Sequence, residues 1–226
     1  ARGIIYNAMP EMELANKVYD FTTTEQICMG IGMDTNIHAD AHAFRKAYRI
    51  QKPFLLYAGR KDAGKNVHTL LRYFAEYKQR HGDSDLQLVL IGGGSIEIPA
   101  SVRDDVYDLG FVSKQDKYDA MAAAELLCQP SHNESFSLVI MESWLCGRPV
   151  LVHSQCAVTR DFARRANGGL YFRNYFEFEG CVQYILTHPE QARTMGQNGG
   201  AFVRENFDWD VIVEKYRAFF AKLTEE

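Results

Sequence analysis

PFLLYAGRKDAGKNVHTLLRYFAEYKQRHGDSDLQLVLIGGG, residues 53–94, reads as strand, helix, strand. Phe54-Leu55-Leu56-Tyr57-Ala58 is a short unbroken apolar run, the pattern of a strand buried on both faces. Val67, Leu70, Leu71, Phe74 and Tyr77 then follow at helical spacing and form one apolar stripe. Leu86 to Ile91 is a second buried strand, stopped by Gly92-Gly93-Gly94. Two buried strands joined by a striped helix make a parallel crossover unit.

The alternation continues outward. Downstream, a short strand region is expected over Val106 to Val112 with a turn at Gly110, then a helix over Lys114 to Ala124. Leu126 to Gln129 is a strand ended by Pro130-Ser131, and Ser137 to Cys146 is a helix ended by Gly147. Val150-Leu151-Val152 and Leu170-Tyr171-Phe172 are strands, and nothing is assigned to the segment between residues 158 and 169. Helices are expected over Phe176 to Leu186, over Pro189 to Glu205, and through Ile212, Tyr216, Phe219, Phe220 and Leu223. Upstream, Ile4-Ile5-Tyr6 and Gln26 to Ile31 are strand candidates around a helix that Pro10-Glu11 opens, and residues 33–50 are a polar linker with a short helix. The fold class is α/β, a doubly wound, Rossmann-like parallel sheet.

Composition narrows the function. The 226 residues carry 25 Lys and Arg against 29 Asp and Glu, a net charge of −4. A broad nucleic-acid surface needs clustered excess cations, so no nucleic-acid partner is expected. Cys28, Cys128, Cys146, Cys156 and Cys181 are odd in number and lack Cys-x-x-Cys spacing, which suits buried free thiols in a reducing compartment. No apolar run reaches the roughly 18 residues of a membrane helix. The start, Ala1-Arg2-Gly3, lacks Met and a signal-peptide layout, and reads like a chain entered in mid-strand. A cytoplasmic protein is expected, peripheral at most to the inner face of a membrane.

Ligands of open parallel sheets bind beyond the carboxyl ends of the strands. There the chain places Gly59-Arg60 with Lys65, then Gly92-Gly93, Gly110-Phe111-Val112, the stretch from Pro130 to Ser137, and His153 to Ala157. Arg60 and Lys65 are two cations on one loop, suited to a polyanion. The helix start over Ser135, Phe136, Ser137 and Leu138 offers free backbone N–H groups and a positive dipole end to a phosphate. Glu134 and Glu142 are poor phosphate partners but good acceptors for sugar hydroxyls. Together they describe a diphosphate flanked by two sugars, a nucleotide-sugar. Gly-x-Gly-x-x-Gly after the first strand and Gly-Lys-Ser/Thr are both missing, which argues against a dinucleotide oxidoreductase and a P-loop enzyme. The seven histidines form no metal-ligand pattern, so no metal and no cofactor are expected.

Several plainer readings stand beside these. Arg60 and Lys65 also fit solvated loop charges, Glu134 a helix cap, and Glu142 a surface helix position. His132 and His153 fit rim residues with structural hydrogen bonds better than bases. Lys117 and Tyr118 either edge a base pocket or lie on a solvated helix face. The aromatic group Tyr171, Phe172, Tyr175, Phe176 and Phe178 is expected in core and edge packing.

Glu134-Ser135-Phe136-Ser137-Leu138-Val139-Ile140-Met141-Glu142, followed by Ser143-Trp144-Leu145-Cys146-Gly147-Arg148-Pro149-Val150, resembles the Glu-x7-Glu signature of the retaining GT-B glycosyltransferases of the "group 1" type. Gly59-Arg60 with Lys65 resembles their Gly-Arg-x-x-x-x-Lys loop, Gly110-Phe111-Val112 their base-contacting turn, and Asn206-Phe207-Asp208-Trp209 their entry to the last helix. Gly30-Ile31-Gly32-Met33-Asp34 lies at their linker motif. The set runs in family order over about residues 26–226. Two departures stand out. Cys156-Ala157 occupies the place of a frequent Gly-Gly pair, and Asp161 that of a glutamate.

The resemblance implies the C-terminal, donor-binding half of a two-domain enzyme. Residues 1–45 would be the remnant of an N-terminal acceptor domain with its linker, 46–206 the nucleotide-sugar domain, and 207–226 a C-terminal helix. It implies transfer of a sugar from a nucleoside diphosphate, UDP before GDP, to a hydroxyl acceptor on a saccharide or lipid-linked saccharide, with retention. Glu134, Arg60 and Lys65 would serve catalysis. Gly59, Gly92, Gly93, Phe111, Val112 and Ser135 to Leu138 would line the donor, and Glu142 would hold the ribose. The missing N-terminal domain would be a partner within the same protein. Two other classes remain open: a binding module without transfer, and a GT-B-type epimerase or phosphorylase.

Overall fold

The computed structural model describes residues 1–224. Strands β1 (Gly3–Tyr6) and β2 (Glu25–Cys28) flank helix α1 (Met9–Val18) and pair in parallel as a sheet of their own. Helix α2 (Ala41–Tyr48) follows, with Asp40 as its N-cap accepting from the backbone N–H of His42 and Ala43. The chain then builds the large sheet. Its first strands are β3 (Phe54–Ala58), β4 (Gln87–Ile91) and β5 (Val106–Asp108), with α3 (Val67–Arg80) between the first two. Helix α4 (Lys114–Ala123) leads to β6 (Leu126–Gln129), α5 (Leu138–Leu145) to β7 (Val150–His153), and α6 (Ala157–Ala166) to β8 (Gly169–Phe172). Helices α7 (Tyr175–Thr187), α8 (Pro189–Phe207) and α9 (Trp209–Thr224) close the chain. The C-terminal helix expected over 207–226 thus begins at Trp209, and residues 225 and 226 lie outside the described residues.

The large sheet has six parallel strands in the order β5-β4-β3-β6-β7-β8. Alternate side chains of a strand point to opposite faces, and the two faces of β3 show it. Leu56 and Ala58 join a core with Phe44, Phe136, Trp144, Phe162 and Phe207. Leu55 and Tyr57 join the other core with Leu70, Phe74, Phe178 and Val182. Burial on both faces is why these strands read as unbroken apolar runs. Strand order reverses between β3 and β6, and the crevice outside their carboxyl ends is the expected ligand position of such a sheet.

Several details differ from the sequence reading, among them β2, which stops at Cys28 and not at Ile31, ahead of Gly30 at φ 80°. The segment between β7 and β8 is a helix, α6, whose buried Val158, Thr159, Phe162, Ala163 and Ala166 make a regular stripe. The β5 strand is shorter than expected and stops at Asp108, because Gly110 turns the chain with φ 63°. In the aromatic group, Phe172 and Phe178 are enclosed, while Tyr171 and Phe176 are exposed. Helices α5 and α8 approach so closely at Gly199 that a Cβ there would lie 2.2 Å from the Trp144 ring.

Candidate nucleotide-sugar site

The loops after β3, β4 and β5 form one wall of the crevice. Gly92 has φ 118°, and a Cβ on it would meet the Gly59 carbonyl oxygen at 2.1 Å, so the two turns touch backbone to backbone. Lys61, not anticipated from sequence, locks them together. Its side chain is fully enclosed, and Nζ donates to the Gly92 carbonyl at 2.5 Å and to Asp108 Oδ1 at 2.9 Å. Asp108 Oδ1 also accepts from the Gly110 N–H at 3.1 Å. A lysine following a buried strand was the available signal, but its partner stands 47 residues away.

Beside this wall lies a cleft of about 410 Å³, lined among others by Gly59, Arg60, Gly92, Gly93, Phe111 and Val112. The Phe111 ring is 87% exposed and rests on Gly93, where a Cβ would come within 2.7 Å of it. An uncovered aromatic over small backbone suits a flat heterocycle.

The phosphate side is built by the turn after β3 and the start of α5. Lys65 ends a short 3₁₀ turn, Ala63–Lys65, that Asp62 caps by accepting the Lys65 N–H. Asn66 follows with φ 57° and donates from Nδ2 to the Pro130 carbonyl at 3.0 Å, which ties the β3 and β6 loops together. The Arg60 side chain is 76% exposed, and it pairs with Asp62 Oδ2 at 3.5 Å. Ser137 stands at the N-cap of α5 in the left-handed region, φ 72°, with its Oγ buried and unpartnered. The N–H groups of Leu138 and Val139, the first of α5, have no partner within the helix, whereas that of Ile140 donates to the Ser137 carbonyl at 3.2 Å. Ser135 and Leu138 are exposed. Phe136 is different: its ring packs edge-on against Phe162 and Phe207 in the core, so only its backbone is available to a ligand.

Each glutamate meets a lysine. Glu134 Oε1 accepts from Lys65 Nζ at 2.7 Å and from Gln129 Nε2 at 3.4 Å, so the structure brings together two residues read separately from sequence. Glu142 Oε1 lies 2.5 Å from Lys117 Nζ and 3.4 Å from the Tyr118 hydroxyl, while its Oε2 is buried without a partner. Burial first, and then the Glu142 charge, push the Tyr118 hydroxyl up to about 12. His132 Nε2 faces Asn66 Nδ2 at 3.1 Å and its ring lies 4.3 Å from that of His153. His153 Nδ1 accepts from the Gln155 N–H, and burial followed by the neighbouring His132 lowers its pKa. Asp161 pairs with Arg164 and Arg165 of its own helix, while Cys156 is buried at the α6 N-cap. A second hollow of about 270 Å³ joins Glu11 and Leu14 of α1 to His132, Glu134 and Gln155. Among the described residues no three His, Cys, Asp or Glu side chains gather as metal ligands, and no helix is long and apolar enough to cross a membrane.

The family model for glycosyl transferases group 1 matches residues 40–202. The chain belongs to this family. A D-inositol 3-phosphate glycosyltransferase of Pseudarthrobacter chlorophenolicus is 34% identical over 178 residues, covering 73% of this chain and 42% of that protein. A trehalose synthase of Rubrobacter xylanophilus is 26% identical over 189 residues, 77% of this chain and 44% of that protein. The chain therefore spans less than half the length of these two relatives. Among solved structures, sucrose-phosphate synthase from Thermosynechococcus elongatus superposes with a TM-score of 0.80 at 22% identity, covering 100% of this chain and 59% of that one. Anabaena HepE in complex with UDP-glucose gives 0.81 at 18% identity, covering 98% of this chain and 64% of that one. The group 1 chain thus has the Rossmann-like fold of a GT-B C-terminal half.

Proposed function

We propose that this chain is the donor-binding part of a glycosyltransferase that moves a sugar from a nucleoside diphosphate to a hydroxyl acceptor with retention. One observation carries the reading. At the point where strand order reverses, Arg60 and Lys65 lie on one turn opposite the start of α5, with Glu134 on Lys65. Two cations and a helix N-terminus suit a diphosphate, and the adjoining carboxylate suits sugar hydroxyls. In this reading the base lies against Phe111, Val112 and Gly93, and Glu142 takes the ribose. UDP is the favoured nucleotide, and the UDP-glucose complex of the structurally similar HepE supports it.

The reaction breaks the bond from the anomeric carbon to the β-phosphate oxygen and forms one to the acceptor oxygen on the same face. The acceptor proton passes to the departing phosphate. Arg60, Lys65 and the α5 N–H groups stabilise the charge that grows there. Glu134 stands beside the cationic sugar. The chain alone is expected to bind the donor and to hydrolyse it slowly, without transfer to an added acceptor. Among the described residues before β3, it is α1 that faces Glu134, and so short a wall does little to hold an acceptor or exclude water. Mass spectrometry of UDP-glucose incubated with the chain, with and without added saccharide, tests this. Slow glucose release without a glycoside product is expected. Rapid glycoside formation would place an acceptor site inside this chain, and release of UDP-linked epimer would replace transfer by epimerisation.

A further inference from the structure

The base-side cleft is edged by Lys117, yet Glu142 does not line it. Lys117 lies between the two. Its Nζ is 2.5 Å from Glu142 Oε1, its side chain is 26% exposed, and its Nζ lies 5.0 Å from the centre of the Tyr118 ring. Glu142 is one helical turn beyond Val139, which does line the cleft, so the two share a face of α5. The carboxylate is nearly enclosed, with 11% of its side chain exposed and Oε2 sealed off. A sugar moving along Val139 reaches the ammonium before the carboxylate.

We propose that Lys117 and Glu142 act as one hydroxyl-reading pair, with Lys117 a specificity-determining residue that favours ribonucleoside diphosphates over deoxy ones. This rests on the assignment of Glu142 to the ribose. An ammonium only donates hydrogen bonds and an ionised carboxylate only accepts them, while a hydroxyl does both. A ribose hydroxyl inserted at the pair accepts from Nζ and donates to Oε1, so it satisfies both charges at once. A deoxy carbon offers neither bond, and the pair stays closed on itself. Hydrogen bonds to charged groups are worth enough to separate the two ligands by about 10- to 100-fold. The carboxylate is nearly enclosed and lies 3.4 Å from the Tyr118 hydroxyl, while the lysine is more exposed, so the lysine is the half of the pair that moves.

Calorimetric titration of the chain with UDP and with 2′,3′-dideoxy-UDP tests the pair. The unsubstituted chain is expected to favour UDP by about 10- to 100-fold. Lys117→Met is expected to bring the ratio within about threefold, by weakening UDP and leaving the dideoxy analogue unchanged. Equal weakening of both ligands would make Lys117 a phosphate contact, and an unchanged ratio would remove it from the site; either overturns the proposal. Because Lys117→Met strands the Glu142 charge, the double variant Lys117→Met/Glu142→Gln is measured alongside. It must show the same collapsed ratio, and a native ratio in it overturns the proposal. Glu142→Gln separates the two levels. A native ratio there removes Glu142 from the ribose altogether. A collapsed ratio there, beside a native one in Lys117→Met, keeps Glu142 and discards Lys117.

Discussion

Lys65 Nζ lies 2.7 Å from Glu134 Oε1, across 69 residues of sequence, so the site holds its own cation and anion together. In the proposed reading a donor enters between them, phosphate toward the lysine and sugar toward the carboxylate. Arg60 has the looser partner, Asp62 Oδ2 at 3.5 Å, and its side chain already stands largely in solvent.

Arg60→Ala and Lys65→Ala are therefore expected to differ in one respect. Each should weaken UDP by roughly 1.5–3 kcal/mol, the range for hydrogen bonds to charged groups. Arg60→Ala should leave the melting temperature unchanged. Lys65→Ala should lower it, because the nearly enclosed Glu134 loses its partner. Calorimetry and thermal unfolding of both variants check the contrast, and unchanged UDP affinity in both would move the phosphates elsewhere.

The two glutamates are separable by ligand. Glu142→Gln should weaken UDP and UDP-glucose alike. Glu134→Gln should leave UDP nearly unchanged and weaken the part of UDP-glucose binding that comes from the sugar. Identical responses of the two variants to both ligands would contradict the division of roles.

Lys61→Met should destabilise the chain by about 1–3 kcal/mol, the cost of leaving hydrogen-bonding groups without their partner, since Asp108 stays partly solvated. It strands Asp108 and the Gly92 carbonyl, and it frees the turns that shape the cleft. Urea unfolding gives the first effect. UDP affinity under native conditions should also fall, although Lys61 touches no ligand in this account.

A pH effect follows from His153. Burial and the adjacent His132 lower its pKa in the folded chain, below its usual value of 6.5. The unfolded chain then takes up the proton first as pH falls. Stability from this group is full above about 6.5 and declines as pH drops toward the lowered value. The urea midpoint of the unsubstituted chain should fall more steeply between about pH 7 and 5 than that of His153→Gln. Parallel curves would show that His153 titrates normally.

Much of this was readable in the chain. The strands β3, β4, β6 and β7 are buried on both faces, so their apolar runs stand out, and the glycines and prolines that end them point to the rim. Helix α6 was easy to miss because Thr159, Ala163 and Ala166 give its buried stripe little apolar bulk, although Val158, Phe162 and Ala166 keep helical spacing. The ion pairs were hidden for another reason. Lys61 with Asp108 and Lys117 with Glu142 depend on which loops and helices the topology makes neighbours, and local sequence does not carry that. Phe136 shows a third limit, since a motif residue can serve by its backbone while its ring belongs to the core.

Divalent metal should be dispensable for donor binding, since Arg60, Lys65 and the α5 N-terminus already offer positive charge to the diphosphate. UDP affinity should be equal in chelator and in magnesium or manganese. Affinity that appears only with the metal would overturn this.

The central claim is that the diphosphate lies between the Arg60–Lys65 turn and the start of α5. A crystal structure of the chain with UDP bound tests it most directly. The account expects phosphate oxygens within hydrogen-bond distance of Arg60, Lys65 and the backbone N–H of Leu138 or Val139, with uracil beside Phe111. UDP bound in another hollow, or with its phosphates turned away from both cations, would contradict it.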